Sequence, residues 1–269
     1  APIQHPGAPV PRPFTPDYLA GYISDISPYQ YGIYAEVNRL FPQVRDTQPQ
    51  TMAANMDTVV RINNTASPEQ ITKAQLDAAA AEGGLLANIS AALGAEFGAA
   101  FRTSLAEGRL PKTAYLLDNG YFARAGGLAS STLVEKQVFN YPRPHVAAPE
   151  RIARYNTAET GDLYLTSPSF PSGHTNQAVW VTTLLAYMVP ELAPQLLYRG
   201  AEAGNSRVVL GVHYPLDVIG GRMSGYAAAA DRLNDPKMRD ALNQAGEELR
   251  AEIEWRTGKP IAQLVASDA

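Results

Sequence analysis

The sequence predicts an all-α fold, arranged as a single-domain helical bundle. Two observations lead to this prediction. Apolar residues recur at helical spacing along much of the alanine-rich chain, and no alternating strand pattern of convincing length is present. No internal repeat is visible either, and 269 residues are enough to bury a substantial core.

The first residues differ from the rest of the chain. They read APIQHPGAPVPRPF, with five prolines and little periodicity. Such a composition is typical of an extended segment that follows the surface. We therefore expect a proline-rich arm over residues 1–14 and one helical domain over residues 15–269.

Capping residues mark the first clear helix of the domain. Ser67 and Gln70 form a capping box, with a proline at the first helical position between them. The paired glycines at 83–84 break the pattern, which resumes from Leu85. The Asp-Asn-Gly sequence at 118–120 is a turn signal, but we expect it to lie within a helix.

Two further helices are predicted in the second half. Residues 178–189 are strongly apolar but fall short of the roughly 20 residues that a membrane span needs, so they indicate a buried core helix. Asp235 is expected to cap a helix that begins at Pro236. The apolar face of that helix consists of Met238, Leu242, Ala245, Leu249 and Ile253.

Composition excludes several classes of function. A net charge of −4 and the lack of any run of five or more like charges argue against a nucleic-acid-binding surface. The absence of cysteine excludes disulfides, thiolate metal sites and cysteine nucleophiles. The chain begins at Ala1 without a methionine, which fits a mature, processed protein, as it would an expression product.

Three segments concentrate cations, histidines and helix starts. The first is KQVFNYPRP, in which Lys136 is near a helix end and Arg143 lies between two prolines on an extended turn. The second is PSGH, with Ser172, Gly173 and His174 at the start of the apolar helix. Unpaired N–H groups and the positive end of the helix dipole make such a start an anion site.

The third segment is SRVVLGVHYPLD. Pro215 is expected to begin a new helix, which places His213 just before it and Asp217 in its first turn. A carboxylate there can accept a hydrogen bond from Nδ1 of the imidazole and leave Nε2 as a nucleophile or ligand. Arg207 in the same segment adds a third cation.

Taken singly, each segment also has an ordinary structural explanation. A lysine near a helix end is usually solvated, Ser172 can be a simple helix cap, and a buried histidine can be satisfied by a local aspartate. Together they supply fixed positive charge, two imidazoles and one carboxylate. These are the groups that a phosphoryl transfer requires.

These segments resemble the three-part signature of the type 2 phosphatidic-acid-phosphatase superfamily: K-x6-R-P, then P-S-G-H, then S-R-x5-H-x3-D. Every signature position is filled. Within that superfamily the chain looks most like the bacterial class A non-specific acid phosphatases, which are all-helical and secreted. The resemblance covers residues 136–217 and implies a metal-independent acid phosphatase, acting on phosphate monoesters in the periplasm or outside the cell.

The resemblance also implies a role for each residue. His213 would attack phosphorus and carry the phosphoryl group, oriented by Asp217, and His174 would be the general acid and base. The phosphoryl oxygens would be held by a further set of residues: Lys136, Arg143, Ser172, Gly173 and Arg207. No cofactor and no metal ion are expected, and the partners are small phosphorylated substrates, with inorganic phosphate as product.

Alternatives remain open on sequence alone. Vanadium-dependent haloperoxidases share the superfamily and hold vanadate in the same pocket. A non-catalytic phosphate-binding protein would need the cations but not two histidines and an aspartate. A membrane lipid phosphatase is disfavoured because no apolar segment is long enough, and a histidine zinc site because no paired-histidine spacing occurs. The helix faces would allow a homo-oligomer.

Overall fold

The structure, a computed structural model, describes residues 1–20, 32–120, 123–126, 132–157 and 164–267. Within these ranges the chain is helical and contains no strand, so the predicted all-α class is confirmed. The α-helices are α1 Pro16–Ala20, α2 Ile33–Thr47, α3 Pro49–Thr65, α4 Pro68–Gly83, α5 Leu86–Ile89, α6 Ala95–Ala106, α7 Pro111–Leu117, α8 Leu133–Phe139, α9 Pro144–Ala147, α10 Gly173–Met188, α11 Ala193–Val209, α12 Pro215–Asn234, α13 Pro236–Thr257 and α14 Ile261–Ser267.

The predicted helix starts of α4, α12 and α13 are confirmed. Ser67 and Gln70 form the expected reciprocal capping box at α4. Asp235 accepts hydrogen bonds from two backbone N–H groups in the first turn of α13. Each of the three helices begins with a proline, whose missing N–H would have had no partner inside the helix.

The prediction that residues 118–120 lie within a helix is wrong. Helix α7 ends at Leu117, and Asp118 follows it as the C-cap. The carboxylate of Asp118 accepts a hydrogen bond from the backbone N–H of Leu86 at 2.9 Å, at the start of α5. The helix therefore ends before Asp118, whose carboxylate binds the start of another helix.

Helix α10 lies at the centre of the bundle. It packs along α11 and α12, and its residues are buried on nearly every side, Trp180 and Leu184 among them. Helix α12 approaches the start of α10 closely at Gly221, where an added Cβ would lie 2.4 Å from the carbonyl oxygen of Ser172. The glycine therefore lets the second turn of α12 approach the start of α10.

The predicted apolar face of α13 is buried against the bundle, where it contributes to the main core. The proline-rich segment before α1 contains no helix and is held on the surface by polar contacts. Arg109 donates to the carbonyl oxygens of Ile3 and Pro9 and forms a buried ion pair with Glu252. Among the helices described, none combines the length and the apolar composition that crossing a bilayer requires.

Candidate active site

The PSGH segment lies at the N-terminus of α10, as predicted. Ser172 is the N-cap, and its hydroxyl oxygen accepts a hydrogen bond from the backbone N–H of Thr175 at 3.2 Å. Gly173 is the first helical residue, so its N–H is among those that have no partner within the helix. The hydroxyl of Ser172 therefore caps α10 and lies beside its first backbone N–H groups.

His213 and Asp217 form a buried pair at the start of α12. Nδ1 of His213 lies 3.0 Å from Oδ2 of Asp217. A carboxylate accepts but does not donate, so Nδ1 carries the proton. Nε2 lies 2.9 Å from NH1 of Arg143, which can only donate, so Nε2 is the acceptor. The imidazole is therefore neutral, with its lone pair on the side of Arg143.

Asp217 is held in place by several donors. Oδ2 also accepts hydrogen bonds from the hydroxyl of Ser169 and from the backbone N–H of Tyr214, the latter at 2.9 Å. Oδ1 is buried and has no hydrogen-bond partner in the described part of the chain. Burial raises the pKa of Asp217 to about 6, although the hydrogen bonds from Ser169 and Tyr214 act in the opposite direction.

Arg143 connects the first segment to the third. It precedes α9 in extended conformation, and its guanidinium is buried. Besides the contact with His213, it donates to the carbonyl oxygen of Ser167 at 2.8 Å and to that of Val212 at 3.1 Å. These bonds fix the orientation of the guanidinium next to the imidazole.

Arg207 is a buried cation in the last turn of α11. Only 1% of its surface is exposed, and none of its three guanidinium nitrogens has a hydrogen-bond partner among the residues described. A buried charge normally has a paired anion, because its desolvation is otherwise uncompensated. An unpaired guanidinium at this position is therefore what an anion-binding pocket would present.

Lys136 occupies the last turn of α8, and its ammonium group donates to the carbonyl oxygens of Pro168 and Ser169, each at 3.2 Å. Burial lowers the pKa of Lys136 to about 7, and the positive charge of Arg143 adds to this effect. The sequence predicts a site built from helix N-termini and loops, but Lys136 and Arg207 lie in the last turns of their helices.

His174 points from α10 toward α4. Its Nε2 lies 3.2 Å from the carbonyl oxygen of Ala78. A carbonyl only accepts, so Nε2 carries a proton, and the titrating nitrogen is Nδ1. Burial lowers the pKa of His174, and Arg207 lowers it further. The pKa of His213 is lowered in the same way, by burial first and then by Arg143.

The structure brings the three predicted segments together. Hydrogen bonds join Arg143, His213 and Asp217, while Lys136 and Arg207 lie close enough to shift the pKa of His213. Across the described ranges, His, Asp and Glu side chains form no group of three that could hold a metal ion.

Sequence reasoning missed three contributors to the site. Ser169 binds Asp217, and Tyr164 packs against both arginines, with its ring centroid 4.5 Å from Cζ of Arg143 and 5.1 Å from Cζ of Arg207. The serines of the TSPSFPSGH run were a visible signal for Ser169. Nothing in the local sequence distinguishes Tyr164 from the other tyrosines.

The third contributor is Asp77 in α4, which lies next to the carbonyl that binds His174. Its carboxylate accepts a hydrogen bond from the hydroxyl of Ser206 at 2.7 Å and pairs with Arg199 at 2.5 Å. Ser206 directly precedes Arg207. Asp77 therefore connects α11 to α4. The sequence gives little indication of this role, because α4 carries no recognised motif.

Comparisons with known proteins identify the family of the chain. A family model described as the PAP2 superfamily matches residues 116–237. A non-specific acid phosphatase of Providencia stuartii is 34% identical over 188 residues, which cover 70% of this chain and 68% of that protein. A non-specific acid phosphatase of Salmonella typhi is 31% identical over 144 residues, 52% of this chain and 53% of that protein.

A relative that matches over a shorter stretch is named for a different activity. The undecaprenyl-diphosphatase BcrC of Bacillus subtilis is 32% identical over 94 residues, 35% of this chain and 44% of that protein. The aligned part thus spans about half the length of the Salmonella typhi relative and less of the Bacillus one. The match to the Providencia protein is long enough to assign the family. The chain belongs to the PAP2 superfamily, in which it resembles the bacterial non-specific acid phosphatases.

Proposed function

We propose that this chain is a metal-independent acid phosphatase that cleaves phosphate monoesters through a phosphohistidine on His213. Membership in the superfamily and the acid phosphatase relatives make the chain a phosphoric monoester hydrolase. The covalent intermediate, the residue roles and the independence of metal ions are our proposal. The single observation that carries it is the neutral His213, bonded through Nδ1 to Asp217 and through Nε2 to Arg143.

Phosphate binding comes first in the proposed sequence. The phosphoryl oxygens take donors from Arg143, Arg207 and Lys136, and from the backbone N–H of Gly173 and the hydroxyl of Ser172. Arg207 has no competing hydrogen-bond partner in the described structure, and Arg143 already lies beside Nε2. When an oxygen replaces Nε2 as the acceptor for Arg143, the lone pair of Nε2 becomes available to phosphorus.

In the first chemical step, Nε2 of His213 forms a bond to phosphorus and the ester oxygen leaves. Asp217 stabilises the imidazolium that develops, because its carboxylate accepts the hydrogen bond from the protonated Nδ1. His174 supplies a proton from Nδ1 to the leaving oxygen, since its Nε2–H group donates a hydrogen bond to the carbonyl oxygen of Ala78.

In the second step, His174 takes a proton from water, which attacks phosphorus and releases inorganic phosphate and neutral His213. Both histidines begin the next cycle in the protonation states in which they began the first. Fixed cations balance the phosphoryl charge in both steps, which is the electrostatic contribution that other phosphoryl-transfer enzymes obtain from metal ions.

Further proposals concern the setting of the enzyme. We propose that its substrates are small soluble phosphate esters, that residues 15–269 form one domain behind the arm of residues 1–14, and that the enzyme is periplasmic or secreted. The similarity to bacterial non-specific acid phosphatases supports the substrate class and the location.

A substrate panel tests the reaction. Phosphate monoesters, diesters and a lipid phosphate are assayed with and without EDTA, using wild type, His213→Ala and the control His5→Ala on the arm. Wild type and His5→Ala should hydrolyse monoesters equally with or without EDTA, and His213→Ala should be inactive. A loss of hydrolysis in EDTA that an added metal ion restores would contradict metal independence. Oxidation of bromide by peroxide after vanadate loading, with no hydrolysis, would favour the haloperoxidase alternative.

A further inference from the structure

Tyr164 lies against three residues of the candidate site. The Cζ atoms of Arg143 and Arg207 are 4.5 Å and 5.1 Å from the centroid of its ring. Both distances are within the roughly 6 Å range of cation–π attraction. The ring also makes an edge contact with the imidazole of His174, with centroids 6.1 Å apart and planes at 88°.

The two arginines depend on this ring to different degrees. Arg143 is oriented by hydrogen bonds to Ser167, Val212 and His213. Arg207 has no hydrogen bond from its guanidinium within the described residues. Within the described residues, the face of the Tyr164 ring is therefore the contact that partly offsets the buried charge of Arg207 and limits its rotation.

The backbone supports a specific role for this residue. Tyr164 has a φ of 70°, a left-handed conformation that is unfavourable for an aromatic residue and persists only where surrounding contacts enforce it. Its ring packs on the apolar cluster formed by Ala74, Ala78, Val209, Leu210 and Val212. That cluster joins α4 to the segment that leads into His213, so the ring is anchored to the frame of the site.

We propose that Tyr164 is a positioning residue, whose ring holds the guanidiniums of Arg143 and Arg207 at the spacing that binds phosphoryl oxygens. The proposal rests on the proposed function of the site. A guanidinium that stacks on an aromatic face keeps its N–H donors in its own plane, so the contact orients both cations and leaves their donors for the anion. The ring carries the role, because the buried hydroxyl of Tyr164 has no hydrogen-bond partner in the described part.

Three variants distinguish the effect of the Tyr164 ring from the effect of a general loss of packing around it. Tyr164→Leu removes the aromatic face, and Tyr164→Phe keeps it while removing the hydroxyl. Tyr155→Leu is the matched control, because Tyr155 packs on the same apolar cluster and its hydroxyl donates to the carbonyl oxygen of Asn63 at 2.9 Å. Loss of this second ring weakens the same region, and the described structure shows no cation–π contact between Tyr155 and an arginine.

The measurements are the dissociation constant of inorganic phosphate by calorimetry and the inhibition constant of vanadate. Tyr164→Leu should raise both by at least about fivefold, which corresponds to the upper end for an exposed cation–π contact and is a lower bound for a buried one. Tyr164→Phe and Tyr155→Leu should stay within about twofold of wild type, since both keep the ring that contacts the arginines. If Tyr164→Leu does not fold, Tyr164→Met replaces it with the same expectation.

Three results would overturn the proposal: unchanged constants in Tyr164→Leu, an equal loss in Tyr164→Phe, or an equal loss in Tyr155→Leu. Phosphate binding is measured without turnover. An absence of hydrolysis in wild type would therefore reject the proposed function and still leave the role of Tyr164 decided by the binding constants.

Discussion

The carboxylate of Asp217 accepts a hydrogen bond from Nδ1 of His213, with Nδ1 and Oδ2 3.0 Å apart and both side chains buried at the start of α12. This contact fixes the neutral tautomer and directs Nε2 toward Arg143. Tyr214 caps α12 in extended conformation, so His213 lies just before the helix and Asp217 in its first turn. The proposed chemistry depends on this orientation, so the pair is the first feature to test.

Asp217→Asn should lower kcat on the order of 10³-fold or more, because an amide can present a donor to Nδ1 and stabilise the wrong tautomer. KM should change little, since the cations remain. Steady-state kinetics with p-nitrophenyl phosphate measure both. Asp118→Asn is the matched control, as it changes a partly buried aspartate whose pKa is also raised by burial. A kcat within tenfold of wild type in Asp217→Asn would show that the pair does not orient the nucleophile.

The pH profile of kcat/KM should be highest under mildly acidic to neutral conditions. Asp217 has its pKa raised to about 6, so it becomes protonated and loses its function as the acceptor as the pH falls through that value. Lys136 has its pKa lowered to about 7, so it loses its charge as the pH rises through that value. His174 must also keep the proton that it donates to the leaving oxygen, and burial lowers its pKa. Activity should therefore decline on both sides. A profile that rises steadily into alkaline solution would be incompatible with these groups.

Lys136→Arg tests whether the loss of charge on Lys136 weakens phosphate binding at alkaline pH. Arginine remains charged across the range, whereas Lys136 becomes neutral above about 7. The variant should bind phosphate more tightly relative to wild type at pH 9 than at pH 6. Comparing the two proteins at each pH cancels the ionisation of phosphate itself. If the inhibition constant of phosphate changes with pH in the same way in both proteins, the charge on Lys136 does not contribute to binding the anion.

Arg207 and Arg199 lie on the same helix but should respond oppositely to substitution by methionine. Arg207 is unpaired, so Arg207→Met should leave the melting temperature unchanged or raise it, while abolishing most of the stabilisation by phosphate. Arg199 is paired with Asp77, so Arg199→Met should lower stability by about 3–5 kcal/mol.

Thermal unfolding with and without phosphate measures both effects. In wild type, phosphate at 100 times its dissociation constant should add about 2.7 kcal/mol of stability. An unchanged phosphate effect in Arg207→Met would remove that arginine from the anion site.

The sequence predicts the helical fold well because its signals are local. Capping residues at Ser67 and Asp235 and the apolar face of α13 are each confirmed by contacts within one helix or its immediate packing. The error at residues 118–120 has a non-local cause, since Asp118 finds its partner in α5. Such long-range partners leave little trace in a local pattern.

The candidate site follows the same division. The residues of the three motifs were found because their types and spacing indicate phosphate chemistry, and the structure brings them together. Tyr164 and Asp77 act through contacts with residues distant in the chain, and neither belongs to a motif. Their positions depend on how α4 and α11 pack, which periodicity alone does not specify.

The most direct test of the phosphohistidine on His213 is to trap it in His174→Ala. A p-nitrophenolate leaving group needs no proton, so attack should still occur, while hydrolysis lacks its base and the intermediate accumulates. The variant is mixed briefly with p-nitrophenyl phosphate labelled at phosphorus and then denatured. We expect acid-labile label on the peptide that contains His213, and none in His213→Ala or in the double variant. Label retained by His213→Ala, or its absence from His174→Ala while p-nitrophenolate is released, would contradict the account.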